Sequence, residues 1–349
     1  MSRVLMSAPF PRTPSGFRRH APAARIALAA AALAALIAEP VPAGTAEDLE
    51  SATRLFEARK YAEARQILEP LAARAAPAEI AGSAALCLGR IAMAELDLEK
   101  ATAWFEKAAA LKPADSISQL WLGRSYGQQA MKAGIFRQPG LAGKTRTAFE
   151  KAVELDPNNL EARSALVEYY LRAPGFLGGG EEKARAQAEE IARRDPVLGH
   201  RSRALIHREG GRDDEAEKEY QAALALDPNR ADPYYWLGFL HQEKKRYDRA
   251  LDVFETMLAR DVDTAGALYQ IGKTGALSGL KLDRAEECLR KYLETEPKAG
   301  APPHAWAHYR LGMVHEKKGA RDLARQSYEA ALRLDPKLED ARKALKALR

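Results

Sequence analysis

Six histidines lie beyond residue 46, and three of them, His304, His308 and His315, share one helical face if a helix reaches back that far. Imidazoles so spaced could hold a metal such as zinc, whose sites are completed by further Cys, His or carboxylate ligands. Pro302 and Pro303 put His304 at or before a helix start, and no Cys or obvious carboxylate completes the set. Packing is the expected role, and no metal ligand is assigned. His241-Gln-Glu and His315-Glu-Lys-Lys both fall short of the H-E-x-x-H arrangement of a metalloprotease. Cys87 and Cys288 could act as nucleophiles only beside a histidine in an electropositive pocket, and no such setting is recognisable. There is no Ser/His/Asp order and no close carboxylate pair. The chain is expected to be no enzyme, with no catalytic residue and no cofactor.

Glycines offer a second chemistry. The stretch Ala173-Pro-Gly-Phe-Leu-Gly-Gly-Gly-Glu-Glu-Lys-Ala184 could open a helix onto a phosphate, since helix N-termini favour anions. Glu181 and Glu182 follow at once, however, and occupy the positive end of that helix themselves. Pro139-Gly-Leu-Ala-Gly-Lys-Thr145 resembles a nucleotide-binding loop, but that motif needs Gly at 138, where Gln138 stands. Both stretches are read as connectors between helices.

The elements that position these residues show up as a period. Leu88-Gly89 recurs as Leu122-Gly123, and Leu237-Gly238 as Ile271-Gly272, each 34 residues on, with Leu311-Gly312 later. A second helical pattern follows in Ala101-x-x-x-Phe105, Ala216-x-x-x-Tyr220, Ala250-x-x-x-Phe254 and Ala324-x-x-x-Tyr328. Units close at Pro113, Pro157, Pro196, Pro228, Pro297 and Pro336, because proline cannot continue a helix interior. Neither helix of such a pair buries its apolar stripe alone, so the units must stack.

This pattern resembles the tetratricopeptide repeat, W-x-x-L-G-x-x-Y, A-x-x-x-F, P, over residues 47–338. The resemblance implies an all-α, right-handed superhelical solenoid of about eight helix-turn-helix units, at 47–80, 81–114, 115–159, 160–197, 198–230, 231–264, 265–298 and 304–338. The amphipathic residues 339–349 are expected to cap the last unit.

The resemblance also implies a concave groove lined by the first helix of each pair, where a protein or peptide partner would bind. The groove slots carry Tyr235, Tyr269 and Tyr309, then Phe239, Lys273 and Met313, with Arg90 and Arg124 further toward the N-terminus and Gln242 and Trp306 extending the face. Tyr235, Phe239 and Gln242 are spaced i, i+4, i+7 and share one stripe. Some of this set is expected to serve inter-helix packing instead.

Two units exceed 34 residues. The extra residues fall near 128–145 and 174–180, between the two helices of their own units, and so on one edge of the stack. They carry apolar tips, Ile135, Phe136 and Leu141 in one and Phe176 and Leu177 in the other, which either pack on each other or form a lip that touches a partner.

Residues 1–46 read as a signal peptide with a long n-region. Arg18, Arg19 and Arg25 precede a thirteen-residue apolar run at 26–38, then Pro40, Pro42 and small residues suited to cleavage after Ala43 or Ala46. Export to the periplasm or secretion is expected. An uncleaved N-terminal anchor is the alternative, and no later run is long enough for a membrane span. Lys and Arg number 54 against 48 Asp and Glu, and removing the leader brings the net charge to about +2. Most charges interleave by sign, which argues against a nucleic-acid partner. The expected function is a non-enzymatic scaffold of the cell envelope. The alternatives are an accessory subunit of an envelope enzyme complex or a self-assembling repeat protein, and the sequence leaves the oligomeric state open.

Overall fold

The computed structural model describes residues 43–73, 77–297 and 300–348, with side chains from residue 46. The leader, apart from its last residues, lies outside the described residues, as does Arg349. The described residues form seventeen α-helices and no strand. They come as pairs: α1 Ala43–Glu57 with α2 Tyr61–Ala73, α3 Ala78–Ala94 with α4 Leu98–Leu111, α5 Ser116–Lys132 with α6 Gln138–Leu155, and α7 Leu160–Arg172 with α8 Glu181–Ala192. The order continues with α9 Pro196–Glu209 and α10 Asp213–Leu226, α11 Ala231–Glu243 and α12 Tyr247–Ala259, α13 Thr264–Ser278 and α14 Leu282–Leu293, and α15 His304–Lys317 and α16 Arg321–Leu334. The last helix is α17, Glu339–Ala347.

The chain divides into two units, one ending at Gly211 and the other beginning at Arg212, in the turn between α9 and α10. In the N-terminal unit each helix packs on the next, and first helices also touch first helices (α1 on α3, α3 on α5, α5 on α7, α7 on α9). In the C-terminal unit the order α11 to α17 packs in the same sequential way, with α13 on α15. α17 covers the end of this unit: Ala341 and Leu338 bury against Ala305 and Ala331.

The repeat slots explain the packing within pairs. A Cβ built on Gly89, Gly123, Gly272 or Gly312 would lie 2.5, 2.5, 2.3 or 2.4 Å from Phe105, Phe149, Leu289 or Tyr328. These glycines of the first helix are the floor on which the second helix's large residue sits. The first helices start cleanly where Asp115, Asn159, Asp195 and Asp263 accept hydrogen bonds from Ser118, Ala162, Leu198 and Gly266 backbone N–H groups, satisfying donors the helix leaves open. Asp195 is followed by Pro196 at the first helical position, so this proline opens a helix. Seven residues after the slot glycine the chain turns through a left-handed residue: Leu96, Lys245, Gly279 and Gly319 all have positive φ.

The long third unit departs from the expected connector. Its extra residues are mostly helix: α5 runs on to Lys132, and α6 starts at Gln138 with Pro139 in its first turn. Only residues 133–137 connect the two. The glycine cluster of the fourth unit forms a short 3-10 turn, Gly175–Leu177, closed by Gly178 at φ 86°.

Candidate functional site

The three histidines all lie on α15 but are engaged separately. His304 opens α15 and stands edge-on to Tyr292, with its Nε2 2.9 Å from the Thr295 carbonyl. His315 is buried, with Nδ1 3.1 Å from Ser327 Oγ and Nε2 3.3 Å from Glu286. Burial holds His308 below the usual imidazole range. Among the described residues no three His, Cys, Asp or Glu side chains gather as a metal site would require. Cys87 and Cys288 are free and buried, and burial pushes the Cys288 thiol up to about 11, away from thiolate chemistry. The glycine cluster is no phosphate cradle: Lys183 Nζ donates to the Gly178 carbonyl at 3.0 Å, and Glu181 and Glu182 form the first turn of α8.

The residues that do converge lie on α11, α13 and α15 of the C-terminal unit. Tyr235 and Phe239 pack ring to ring at 5.6 Å, and both lie against Phe254. The Tyr235 hydroxyl donates to Asp263 at 2.6 Å. Gln242 donates to Thr274 Oγ1 at 2.7 Å and accepts from Lys273 Nζ at 3.2 Å. The same ammonium lies 5.4 Å from the Phe239 ring centroid. Trp306 and Tyr309 meet edge to face at 5.9 Å, and the Arg310 guanidinium stands over both, 5.8 and 5.1 Å from their centroids. Arg310 Nη1 reaches Met313 Sδ at 3.2 Å, while its Nε is buried without a partner.

Lys273 and Arg310 are therefore two neighbouring cations on an aromatic floor, and neither has a carboxylate partner among the described residues. Burial, and then repulsion by Arg310, lowers the Lys273 ammonium to about 8. A partly desolvated cation pair that lacks an anion is poised to accept one, since opposite charge would relieve both causes.

One groove assignment needs correction. Tyr269 is 6% exposed and packs on Tyr292 at 5.2 Å, with Arg310 hydrogen-bonded to its hydroxyl. It supports Arg310 from below and does not face outward. Arg310 itself escapes the slot pattern, because neither Trp236 nor Gln270 at the equivalent positions resembles it.

In the N-terminal unit, Arg90 is held between rings, 4.6 Å from the Phe56 centroid and 5.2 Å from that of Trp121. Its Nε is likewise buried without a partner. Arg124 lies 4.8 Å from the Trp121 ring and 3.5 Å from Glu161.

At the insertion edge the expected apolar tips divide. Ile135, Phe136 and Phe176 are 75%, 95% and 83% exposed, so Phe136 and Phe176 do not bury one another. Leu141 instead packs partly buried against the core around Phe105 and Tyr126, because it sits within α6. Leu177 is half-buried, and its carbonyl accepts from Arg146 at 3.2 Å and from the Tyr169 hydroxyl at 2.9 Å. Those bonds fasten the second insertion beside α6.

Paired helices with glycine-on-aromatic contacts define a helical repeat solenoid. Family models described as TPR repeat and tetratricopeptide repeat match residues 204–245 and 305–338, so the chain carries tetratricopeptide repeats. It is 27% identical over 134 residues to anaphase-promoting complex subunit 3 of Schizosaccharomyces pombe, covering 38% of this chain and 19% of that one. It is 28% identical over 202 residues to superkiller complex protein 3 of Mus musculus, covering 56% of this chain and 12% of that one. The chain thus matches less than a fifth of the length of either relative. A solved tetratricopeptide repeat protein from Parabacteroides merdae is 15% identical, with a TM-score of 0.43 over 76% of this chain and 98% of that one. Proteins built on this repeat fold are in general non-catalytic scaffolds for protein–protein interaction.

Proposed function

We propose that this protein is a non-enzymatic scaffold of the cell envelope that binds an extended segment of a partner protein on the α11–α13–α15 face. The carrying observation is the Lys273–Arg310 pair, which lacks a carboxylate and lies among Phe239, Trp306 and Tyr309. An Asp or Glu side chain of the partner would seat between the two cations, and flanking apolar residues would cover the rings. Aromatic and Arg side chains suit such anchors, and charge complementarity selects the partner. The leader-like residues 1–46 support the envelope assignment.

The test is selection from a random peptide library on the immobilised protein and on a Lys273→Gln/Arg310→Gln variant with unchanged helical circular dichroism. Enrichment of acidic residues beside apolar ones is expected on the first and not on the second. Equal enrichment on both, or acid-free sequences, would remove the cation pair from the binding site.

A further inference from the structure

The α5–α6 tip has no role in that binding face, and its composition is unlike the rest of the chain. Beyond the leader, Lys and Arg otherwise interleave with Glu and Asp, yet residues 116–149 contain no acidic residue and hold Arg124, Lys132, Arg137, Lys144 and Arg146. Arg124 and Arg146 are matched by Glu161 and Glu150. Lys132 and Arg137 are exposed and have no carboxylate partner among the described residues. The Lys144 ammonium lies over the Tyr126 ring at 5.1 Å and is likewise without one.

Between these cations stand three strongly exposed large apolar side chains. Met131 is 72% exposed at the end of α5, and Ile135 and Phe136 occupy the connector. Phe176, on the 3-10 turn packed against α6, adds a second bare ring to the same edge. Apolar tips ringed by unpaired cations cost free energy in water and are covered by an anionic, partly apolar surface. A second copy of this chain would bring Lys132 and Arg137 against their own likeness. The first acidic groups after Phe176, Glu181 and Glu182, begin α8, and Glu181 is held by Arg185 at 2.5 Å.

We infer that the α5–α6 tip is a membrane-docking wedge: Met131, Ile135 and Phe136 enter the headgroup layer of an anionic lipid surface while Lys132, Arg137 and Lys144 meet its phosphates. No helix among the described residues is long and apolar enough to cross a membrane, so this contact is peripheral. It goes beyond the peptide-binding face, which lies on the other unit.

The full chain carrying Phe136→Cys, labelled with an environment-sensitive dye, tests this directly, because the dye reports the tip whatever residues 1–46 do. The natural thiols are buried. A second label at Leu334→Cys, in the C-terminal unit and 58% exposed, is the reference. Vesicles of phosphatidylglycerol and phosphatidylcholine in equal parts are expected to blue-shift the dye at 136 and not at 334, with no shift at either site on phosphatidylcholine alone. Since a basic residue near an anionic surface is worth roughly fivefold in partition, Lys132→Gln with Arg137→Gln should weaken the response about 25-fold. An unmoved dye at 136, or equal shifts at 136 and 334, overturns the wedge. A shift produced by lipid-free protein extract and not by vesicles makes the tip a protein interface instead.

Discussion

A Cβ on Gly238 would lie 2.2 Å from Cζ of Phe254, a ring that is fully buried and cannot retreat. The contact joins α11 to α12, and its counterparts recur in four other pairs. Gly238→Ala is expected to destabilise the C-terminal unit by about 1–3 kcal/mol through overpacking. Gly140→Ala meets nothing within 4 Å inside α6 and should instead stabilise by up to about 1 kcal/mol. Urea unfolding of both variants measures the contrast, and equal midpoints would show that close helix approach is not what these glycines provide.

That relationship shows why the architecture was legible in the sequence. The slot glycine and the large residue it receives stand 16 residues apart in three of the five pairs, and each pairing is local to one unit. The insertions were harder to read. The stretch from Pro139 reads as a connector but opens α6, because a missing N–H costs nothing in a helix's first turn. Leu141 therefore turns inward as a helical residue, where a loop would have displayed it. The candidate site was half visible. Phe239, Lys273, Trp306 and Met313 follow from their slots, but Tyr269 could not be told from a groove residue, since it occupies the same slot as Tyr235 and only its neighbours in the fold bury it. Arg310 was missed because its role depends on reach between helices, which no local period records.

Tyr235 and Asp263 set the register of α11 on α13. The carboxylate accepts from the Tyr235 hydroxyl and also from the Gly266 N–H at 3.2 Å, capping α13. Tyr235→Phe should cost about 1 kcal/mol. Asp263→Ala loses bond and cap together and should cost about 2 kcal/mol. In the double variant the tyrosine change should cost almost nothing more. Additive losses in thermal unfolding would mean that the two residues act independently.

Lys273 gives the binding face a pH dependence. Its folded pKa of about 8 is below the ordinary lysine value of 10.5. The unfolded chain therefore holds more protons between those values, and the group's penalty on stability, full below about 8, is relieved as pH rises toward 10.5. Binding of an acidic peptide runs the other way, because it needs the charged ammonium and falls as pH passes through about 8. A bound carboxylate would raise that midpoint. Titration calorimetry from pH 7 to pH 9.5 should show a falling affinity that is flat in Lys273→Gln. A flat profile in the unaltered protein would mean that Lys273 does not meet the ligand.

His241 gives the same unit an acid limit. The ring is 3% exposed, its Nε2 lies 3.9 Å from Glu217, and its Nδ1 is buried without a partner. Burial lowers its pKa more than Glu217 raises it, and Arg249 and Arg246 lower it further. With the folded pKa below the ordinary 6.5, the unfolded chain binds the proton more readily. The stabilisation is fully present above about pH 6.5 and is lost as pH falls through the depressed folded value. His241→Gln, neutral throughout, should be less stable at pH 7.5 yet lose less on acidification to pH 5. Unfolding midpoints across that interval decide the matter, because parallel slopes for the two proteins would assign the acid sensitivity to other groups.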